Sequence, residues 1–515
     1  MAINEKKSGI IISYITILAS TLINFAYVPV LLGFMGKSEY GIYETMGSII
    51  AYFSIMDFGL GSTITRFYTK YLTLKDERNM ANVLAICSRI YAVITSIILV
   101  AGTILYFFLD DIYKDKWSQA ELESGKRVYI VLLISISITI ISQIYNAVIS
   151  SHEKFTFIKV ASLVQTLLQP VVVILVMMAH PTAFAMVVVM TISNILLVAA
   201  KIYYCYAKLN MKIKLYNFEK ALLYSMLGFS FYLFLTALVD QIFWRSNQII
   251  LSSVAGTGAV AAYAPPFKIF TAYTMISSVI FSIFLPMVTS MVASNVNESE
   301  FSKLFIKAGR LQFIILFAII TGFILLGKEF LFLWLGRSEL KDSINIMYFV
   351  TIALIAPFSI ELIQNLGLVI MQARNKCKFR ALVFLCTAII TISVAIPVAK
   401  KYGIIGCSIV TGCAFIINSG FIMNVYFKKI MDLDVKAFWI EIIKILIPGA
   451  VCCIFVGLLF RYISLSSIII DFAIKCVIFA VLYIAVMWLC VMNKYEKELF
   501  MGPIRKVGNK LIKRR

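Results

Sequence analysis

Apolar segments of about twenty residues recur along the chain from Ile10 to Met492, with only short polar breaks between them. The hydrocarbon core of a bilayer is about 30 Å thick and needs roughly 20 apolar residues per crossing helix. The chain has 515 residues, of which 61% are hydrophobic and 14% charged, whereas soluble domains are about 25% charged. The sequence therefore predicts an all-α polytopic membrane protein with no length left for a soluble domain.

The segment lengths predict about fourteen transmembrane helices. The start MAINEKKSG, followed by the apolar run Ile10–Leu32, predicts a retained first helix and not a removed signal peptide. The longest outer loop, Asp110–Lys126, is too short for a catalytic domain. The predicted spans are 10–32, 41–64, 83–109, 127–150, 157–179, 182–204, 222–254, 262–290, 309–327, 344–371, 381–399, 403–427, 445–463 and 468–492.

Lysine and arginine set the predicted orientation, because basic residues are enriched in cytoplasmic loops. With the N-terminus inside, most of the 47 basic residues fall on inner segments, and this alternation holds along the whole chain. Both termini are predicted to be cytoplasmic. The net charge of +21 is then an orientation signal plus a basic tail, Tyr495–Arg515, suited to anionic lipids. Nucleic acid is not expected as a partner.

An internal repeat appears at an offset of about 220 residues. Leu31–Tyr43 aligns with Leu251–Tyr263, which places Gly36 over Gly256. Farther along, at nearly the same offset, QIYNAVISSHEK aligns with NLGLVIMQARNK. Two matches in order predict two halves of six helices each, with one orientation and a cleft between them.

The predicted domains follow from this repeat. They are an N-terminal lobe over 1–220, a C-terminal lobe over 221–430, and two further helices with the basic tail over 431–515. Such a repeat is typical of alternating-access transporters. A structural duplication without transport remains the alternative.

Ionisable side chains inside predicted spans mark candidate sites, because such a group in a bilayer is costly unless protein or water surrounds it. The candidates are Asp57, Asp240, Arg245, Lys268 and Glu361.

Each candidate also has a structural interpretation. Asp240 and Arg245 would neutralise each other, and Lys268 would extend its amine to the outer surface. Glu361 shares a helix face with Gln364 and Asn365, so it would either titrate during transport or hold helices together. Asp57 would line the interior or pack against a neighbouring helix.

Neutral polar residues also recur at helical spacing. These stripes pack helices together in many membrane proteins, but they also suit a hydrated cavity that accepts sugar hydroxyls. Asn24 and Asn146 are the candidate substrate contacts among them. The stripes are Thr16, Ser20 and Asn24; Ser135, Thr139, Ser142 and Asn146; and Gln165 and Gln169.

Sequence motifs for catalysis or cofactor binding are missing. The sequence contains no Walker motif, zinc-ligand pair or nucleophile elbow, and the 10 cysteines include no CxxC pair. The two histidines, His152 and His180, lie at the ends of predicted helices on opposite sides, and we assign no catalytic role to either. No enzyme activity, cofactor, metal or disulfide is expected.

Three segments carry a resemblance to a known family. They are NFAYVPVLLGFMGKSEYGIYETMGSIIAYFSIMDFGLGSTITRFYTKYL, DQIFWRSNQIILSSVAGTGAVAAYAPPFKIF and EFLFLWLG. The chain resembles bacterial oligosaccharide flippases of the O-antigen and capsule type, which belong to the multidrug/oligosaccharidyl-lipid/polysaccharide exporter superfamily.

The resemblance implies two six-helix lobes plus two helices. It also implies transfer of an undecaprenyl-diphosphate-linked oligosaccharide across the bacterial inner membrane, coupled to protons or sodium ions. Arg245 and Lys268 would bind the diphosphate, and Asp57, Asp240 and Glu361 would serve coupling or gating. A polysaccharide polymerase and a chain-length regulator are further partners that the family allows.

Two alternatives stay open. A drug/cation antiporter of the same superfamily needs a lumen dominated by carboxylates, whereas a diphosphate needs buried cations such as Arg245 and Lys268. A membrane polysaccharide polymerase or acyltransferase needs catalytic groups on substantial loops, and the short predicted outer loops argue against it.

Overall fold

The computed structural model describes most of the chain, and the following statements concern only that part. For residues 2–18, 279–282, 285, 286, 289 and 293, only the backbone is described. The described residues are 2–216, 234, 238, 241–282, 284–294, 296–374, 376, 378–463, 465–499 and 501.

Sixteen α-helices account for most of the described residues. They are α1 (Ala2–Phe53), α2 (Leu60–Thr73), α3 (Glu77–Tyr113), α4 (Gln119–Ser151), α5 (Phe155–Ala179), α6 (Ala183–Ala207), α7 (described over 241–255), α8 (Thr257–Ser282), α9 (Leu285–Ala293), α10 (Glu298–Leu335), α11 (Ile344–Ile363), α12 (Asn365–Ala373), α13 (Lys378–Phe415), α14 (Met423–Ile430), α15 (Val435–Phe460) and α16 (Ile468–Val486).

Ten helices in the described part of the chain are long and apolar enough to cross a membrane. Two of the ten segments, Ala19–Thr73 and Lys378–Ile430, exceed 50 residues. A straight helix of 50 residues would be about 75 Å long, far beyond a single bilayer crossing. The prediction of an all-α polytopic membrane protein is confirmed, and the observed helices are consistent with about fourteen crossings.

Glycines break the longest helices. Gly36 interrupts α1 with a φ of 72°, and Gly403 interrupts α13 with a φ of 58°. These values lie in the left-handed region, which glycine enters without the steric cost of a Cβ. Gly256 between α7 and α8 has a φ of 82°. The two glycines that the repeat aligned, Gly36 and Gly256, thus both have a positive φ.

The chain divides into two compact units. Unit 1 comprises Met1–Pro265, Arg337–Leu340 and Ala388–Cys407. Unit 2 comprises Pro266–Gly336, Lys341–Thr387 and Ser408–Arg515. The lobe bounds predicted from the repeat stay a prediction.

In unit 1, α1 packs against α4, α5 and α6, and α4 also contacts α2 and α3. The buried core is apolar and aromatic, and includes Tyr91, Tyr113 and Trp117. The side chain of Ser118 accepts a hydrogen bond from the Glu121 backbone, and Glu121 bonds back to Ser118, so a capping box starts α4.

In unit 2, α10 packs against α11, α15 and α16. The predicted span 344–371 is divided here, because α11 ends at Ile363 and α12 begins at Asn365. A π-helical segment, Ile416–Ile422, joins α13 to α14. Such segments often occur at functional sites, and this one adjoins the Glu361 side chain.

Candidate functional site

A ladder of neutral hydrogen bonds joins the part of α1 that follows Gly36 to α7. We call it the hydroxyl seam. The hydroxyls of Thr45 and Ser252 lie 3.0 Å apart, and Ser48 bonds to the side-chain oxygen of Gln248. Its other pairs are Tyr52 with Ser246 at 2.6 Å and Ser54 with Gln241 at 3.5 Å.

The order of these pairs fixes the direction of the two helices. As the residue number rises along α1, the residue number of the partner on α7 falls, so the two segments run antiparallel. Thr45, Ser48, Gln248 and Ser252 are 0% exposed. These polar groups are shielded from solvent and are satisfied by one another, as a membrane interior requires.

Glu44 adds a carboxylate to the hydroxyl seam. It is 9% exposed, and its Oε2 accepts a hydrogen bond of 3.4 Å from the Gln248 side chain. Its charge also acts on the hydroxyls of Tyr40 and Tyr43. Glu44 is not among the candidates predicted from the sequence, although a carboxylate within an apolar run indicates a candidate site.

The hydroxyl seam has a tightly packed end beside Gly36. A Cβ on Gly41 would lie 2.1 Å from the Thr257 carbonyl oxygen, so only glycine permits this contact between backbones. The Glu121 carboxylate accepts hydrogen bonds from Ser38 at 2.5 Å and Thr257 at 2.6 Å. Bonds to an ionised acceptor are stronger than neutral ones, which makes this the firmer end.

Arg245 lies on α7 and is partly buried. Its guanidinium interacts electrostatically with the hydroxyls of Tyr43, Tyr52 and Tyr263. Arg245 therefore stands beside the hydroxyl seam. Asp240, the other candidate of this segment, lies outside the described residues.

Asp57 lies at a helix break, which corrects the prediction of one continuous helix over 41–64. The 3-10 turn Ser54–Asp57 follows α1, and Phe58 and Gly59 both have a left-handed backbone. Tyr91 donates a 2.8 Å hydrogen bond to the Asp57 carboxylate, and the Gly59 backbone donates another. Asp57 thus holds the turn between α1 and α2.

The candidate asparagines occupy different environments in unit 1. Asn24 on α1 is exposed, whereas Asn146 on α4 is partly buried. Asn146 donates to the Gln143 side chain at 2.9 Å, and its own carbonyl oxygen is buried without a described partner. Ser135 and Thr139 of the same stripe bond to Asn194 on α6. Part of this stripe therefore packs helices.

Unit 1 also buries a lysine near the end of the predicted span 182–204, which is not among the candidates predicted from the sequence. Lys201 on α6 is 7% exposed, and no carboxylate among the described residues forms a salt bridge with it. A buried cation without a counter-ion is costly, which makes Lys201 a further candidate for contact with an anion.

In unit 2, Glu361 forms the centre of a buried polar cluster. Its carboxylate pairs with Arg380 at 3.2 Å and accepts from the Ser419 hydroxyl at 3.2 Å. Glu361, Gln364 and Ser419 line a small cavity of about 10 Å³. The side-chain amides of Gln364 and Asn418 have no hydrogen-bond partner among the described residues.

Lys268 lies in unit 2, on the part of α8 that follows Pro266, and is partly buried. The helix α8 continues through both prolines to Ser282. The two predicted diphosphate contacts, Arg245 and Lys268, therefore fall in different units.

Unit 2 also contains two ionic clusters that are not among the candidates predicted from the sequence. Arg310 on α10 pairs with Glu441 on α15 at 2.5 Å and with Glu496 at 2.7 Å. Lys475 pairs with Asp471 at 2.6 Å, and Glu329 joins the pair at 3.0 Å. Both clusters join segments that are far apart in sequence, so spacing gives no signal for the added partners.

Comparison with solved structures defines the class of protein. The fold matches the lipid II flippase MurJ in an inward closed conformation, with a TM-score of 0.71, 15% identity, and coverage of 96% of this chain and 99% of that one. It also matches an inward-facing MATE family multidrug resistance transporter of the MOP superfamily, with a TM-score of 0.63, 14% identity, and coverage of 80% and 96%. This chain therefore shares its fold with these two solved structures.

The chain belongs to the polysaccharide biosynthesis protein family, whose sequence profile matches residues 7–292. It is 24% identical over 396 residues to a Salmonella typhi protein named "Putative O-antigen transporter", covering 74% of this chain and 86% of that one. A Shigella flexneri protein of the same name is 20% identical over 381 residues, with coverage of 73% and 86%. The resemblance inferred from the sequence is confirmed.

Proposed function

We propose that this protein moves a lipid-linked oligosaccharide across the bacterial inner membrane, from the cytoplasmic to the periplasmic leaflet, for O-antigen or capsule assembly. The family and the fold support a transporter over an enzyme. The observation that carries the proposal is the hydroxyl seam, because neutral hydroxyls and amides inside apolar helices match the chemistry of a sugar.

The anionic diphosphate would contact Arg245 and Lys268, and Lys201 is a further candidate. Arg245 stands beside the tyrosines of the hydroxyl seam, so one substrate would meet a cation and hydrogen-bonding groups on the same helix. Asn24 and Asn146 remain proposed sugar contacts. Undecaprenyl diphosphate is the carrier that the resemblance implies.

Transport would be coupled to protons or sodium ions through the intramembrane carboxylates. Glu361 is the best supported of them, because its pairing with Arg380 supplies an ion pair that can open and close. Asp57 and Asp240 are proposed for gating. The basic C-terminal tail would contact anionic lipids, and a polymerase and chain-length regulator would receive the product.

A drug/cation antiporter is the second candidate. The match to a MATE transporter and the buried carboxylate Glu44 favour it. A polysaccharide polymerase or acyltransferase is a weaker alternative, which the detection of polymerised or acylated product would support.

Deletion of the gene in its host tests the proposed function. We expect lipid-linked repeat units to accumulate on the cytoplasmic side while their synthesis continues, because the chemistry precedes the blocked step. Measurement of leaflet location by accessibility to added glycosidase separates this outcome from lost synthesis. Normal surface polysaccharide together with new drug sensitivity in the deletion strain would contradict the proposed flippase function and support the drug/cation antiporter.

Two substitutions test the proposed diphosphate contacts. Arg245→Ala and Lys268→Ala should each lower surface export at least tenfold with unchanged protein in the membrane, because each removes a cation that balances the diphosphate. Arg89→Ala is the matched control, since Arg89 is exposed on α3. Normal export in both variants would eliminate the assigned diphosphate site.

A further inference from the structure

The small cavity beside Glu361 adjoins two places in unit 2 where the helices are irregular. The polar part of its lining is Glu361, Gln364 and Ser419, and the rest is apolar and includes Met423 and Phe427. Gln364 stands at the break between α11 and α12. Ser419 lies in the π-helical segment that leads into α14. Helix kinks often occur where a side chain or a water molecule enters the ladder of backbone hydrogen bonds.

The Gln364 side chain brings an unpartnered amide to this cavity. Gln364 is 2% exposed, and neither its amide oxygen nor its amide nitrogen has a hydrogen-bond partner among the described residues. Buried polar groups in native proteins nearly always have a partner, which is often an ordered water. The Asn418 amide is also buried without a described partner, but Asn418 lies outside the lining of the cavity.

Size and charge restrict what the cavity can hold. The space open to the centre of a water molecule is about 10 Å³, and roughly 10–15 Å³ of such space holds one water. The Glu361 carboxylate repels an anion. The guanidinium of Arg380 lies 3.2 Å from the same carboxylate, which disfavours a second cation. The suitable ligand is therefore small, neutral and able both to donate and to accept hydrogen bonds.

We propose that one buried water molecule occupies this cavity and hydrogen-bonds to Gln364, Ser419 and Glu361. The Gln364 amide can donate to the water and accept from it, whereas the Glu361 carboxylate accepts only. Three partners are typical of a buried water. The water would join the end of α11 to the π-helical segment, in addition to the direct bond from Ser419 to Glu361. This water site is independent of what the protein transports.

Hydroxyl-radical footprinting with X-rays tests the site in the purified wild-type protein, because radicals formed from a bound water oxidise the side chains beside it. Met423 lines the cavity and is 2% exposed. Met347 on α11 is 0% exposed and lies outside the lining, so it is the matched control. We expect Met423 to be oxidised at least threefold faster than Met347, as measured by mass spectrometry. Equal rates would overturn the proposed water.

The variant Gln364→Leu tests whether the amide holds the water. It replaces the amide by an apolar side chain of similar size, so the water loses a partner that the leucine cannot supply. Oxidation of Met423 should then fall to the rate of Met347. Unchanged oxidation of Met423 in folded Q364L would show that Gln364 does not hold the water and would overturn the assigned site.

Thermal unfolding provides a second readout with a matched pair of variants. Gln364→Leu should lower the melting temperature by about 2 °C, because Ser419 and Glu361 lose the bound water. Asn418→Leu should raise it by a similar amount, because it removes an amide without a described partner. An increase in both variants would mean that Gln364 has no partner either, and the water site would be wrong. If Q364L does not fold, the wild-type comparison of Met423 with Met347 still decides.

Discussion

The hydroxyl seam of unit 1 and the Arg310 cluster of unit 2 hold helices together by opposite means. The hydroxyl seam uses neutral pairs spread along α1 and α7. The Arg310 cluster concentrates one cation and two carboxylates at a single place, with Arg310 6% and Glu496 2% exposed. The first can exchange partners one at a time, whereas the second separates only by exposing buried charge.

This difference indicates which contacts between helices cost less free energy to separate. Loss of one neutral hydrogen bond between membrane helices costs about 0.6 kcal/mol on average, but loss of one partner from a buried ion pair costs about 3–5 kcal/mol. We therefore interpret the Arg310 cluster as a fixed junction of α10, α15 and the segment that contains Glu496. The hydroxyl seam is the contact that costs less to separate, one bond at a time.

The largest effect is expected at Arg310. Arg310→Met should lower the free energy of unfolding by about 3–5 kcal/mol, because Glu496 would remain buried without its cation. Thermal unfolding in detergent measures this loss. The triple variant R310M/E441Q/E496Q should recover much of it, since no buried charge is left unpaired; Lys444, which loses Glu441, is exposed. Equal stability of R310M and the wild type would refute a fixed junction.

The next largest expected change is an increase in stability. Asn418→Leu should raise the free energy of unfolding by about 1 kcal/mol, because Asn418 is 0% exposed and its amide has no described hydrogen-bond partner. A lower melting temperature than that of the wild type would show that this amide has a partner. Asn424→Leu is the matched control, since the Asn424 amide bonds to the Ser419 and Gly420 backbone and its loss should destabilise.

A smaller effect is expected within the hydroxyl seam. Thr45→Val should change the free energy of unfolding by only about 0.6 kcal/mol, because it keeps the side-chain shape and removes one neutral bond between helices, together with the bond from Thr45 to Gly41 on its own helix. Thr139→Val provides the same change between α4 and α6. If Thr45→Val lowered the free energy of unfolding as much as Arg310→Met, the hydroxyl seam would be as costly to separate as the Arg310 cluster.

The smallest effect is expected at Asp76, which begins α3 outside the spans. Hydrogen bonds from the Asn79 backbone and side chain lower the pKa of the Asp76 carboxyl. Because the folded pKa lies below the unfolded value, the stabilisation is present above about pH 4 and is lost as the pH falls through the folded pKa. The difference in melting temperature between wild type and Asp76→Asn should shrink on acidification. A constant difference would contradict this assignment.

The apolar spacing predicted the helices of both units, because membrane helices must satisfy their backbones locally. The aligned glycines Gly36 and Gly256 were also readable from the repeat, and both have left-handed backbones. Hydropathy did not place the break at Asp57, since a 3-10 turn leaves no mark in it; Gly59 and Gly61 left a break open as an alternative.

The candidate site was only partly predictable. Glu361 and Gln364 were selected together from helical spacing, and they line one cavity. Glu44 and Lys201 were missed, although they lie within the predicted spans 41–64 and 182–204.

The sequence by itself determined the membrane class, the helix content, the repeat and the family resemblance, since these depend on composition and local periodicity. Only the tertiary structure decided which polar groups meet. Ser48 and Gln248, or Arg310 and Glu496, are nearly 200 residues apart, and the face that each helix turns toward its neighbour is set by packing between helices. Sequence spacing within one helix carries no information about that partner.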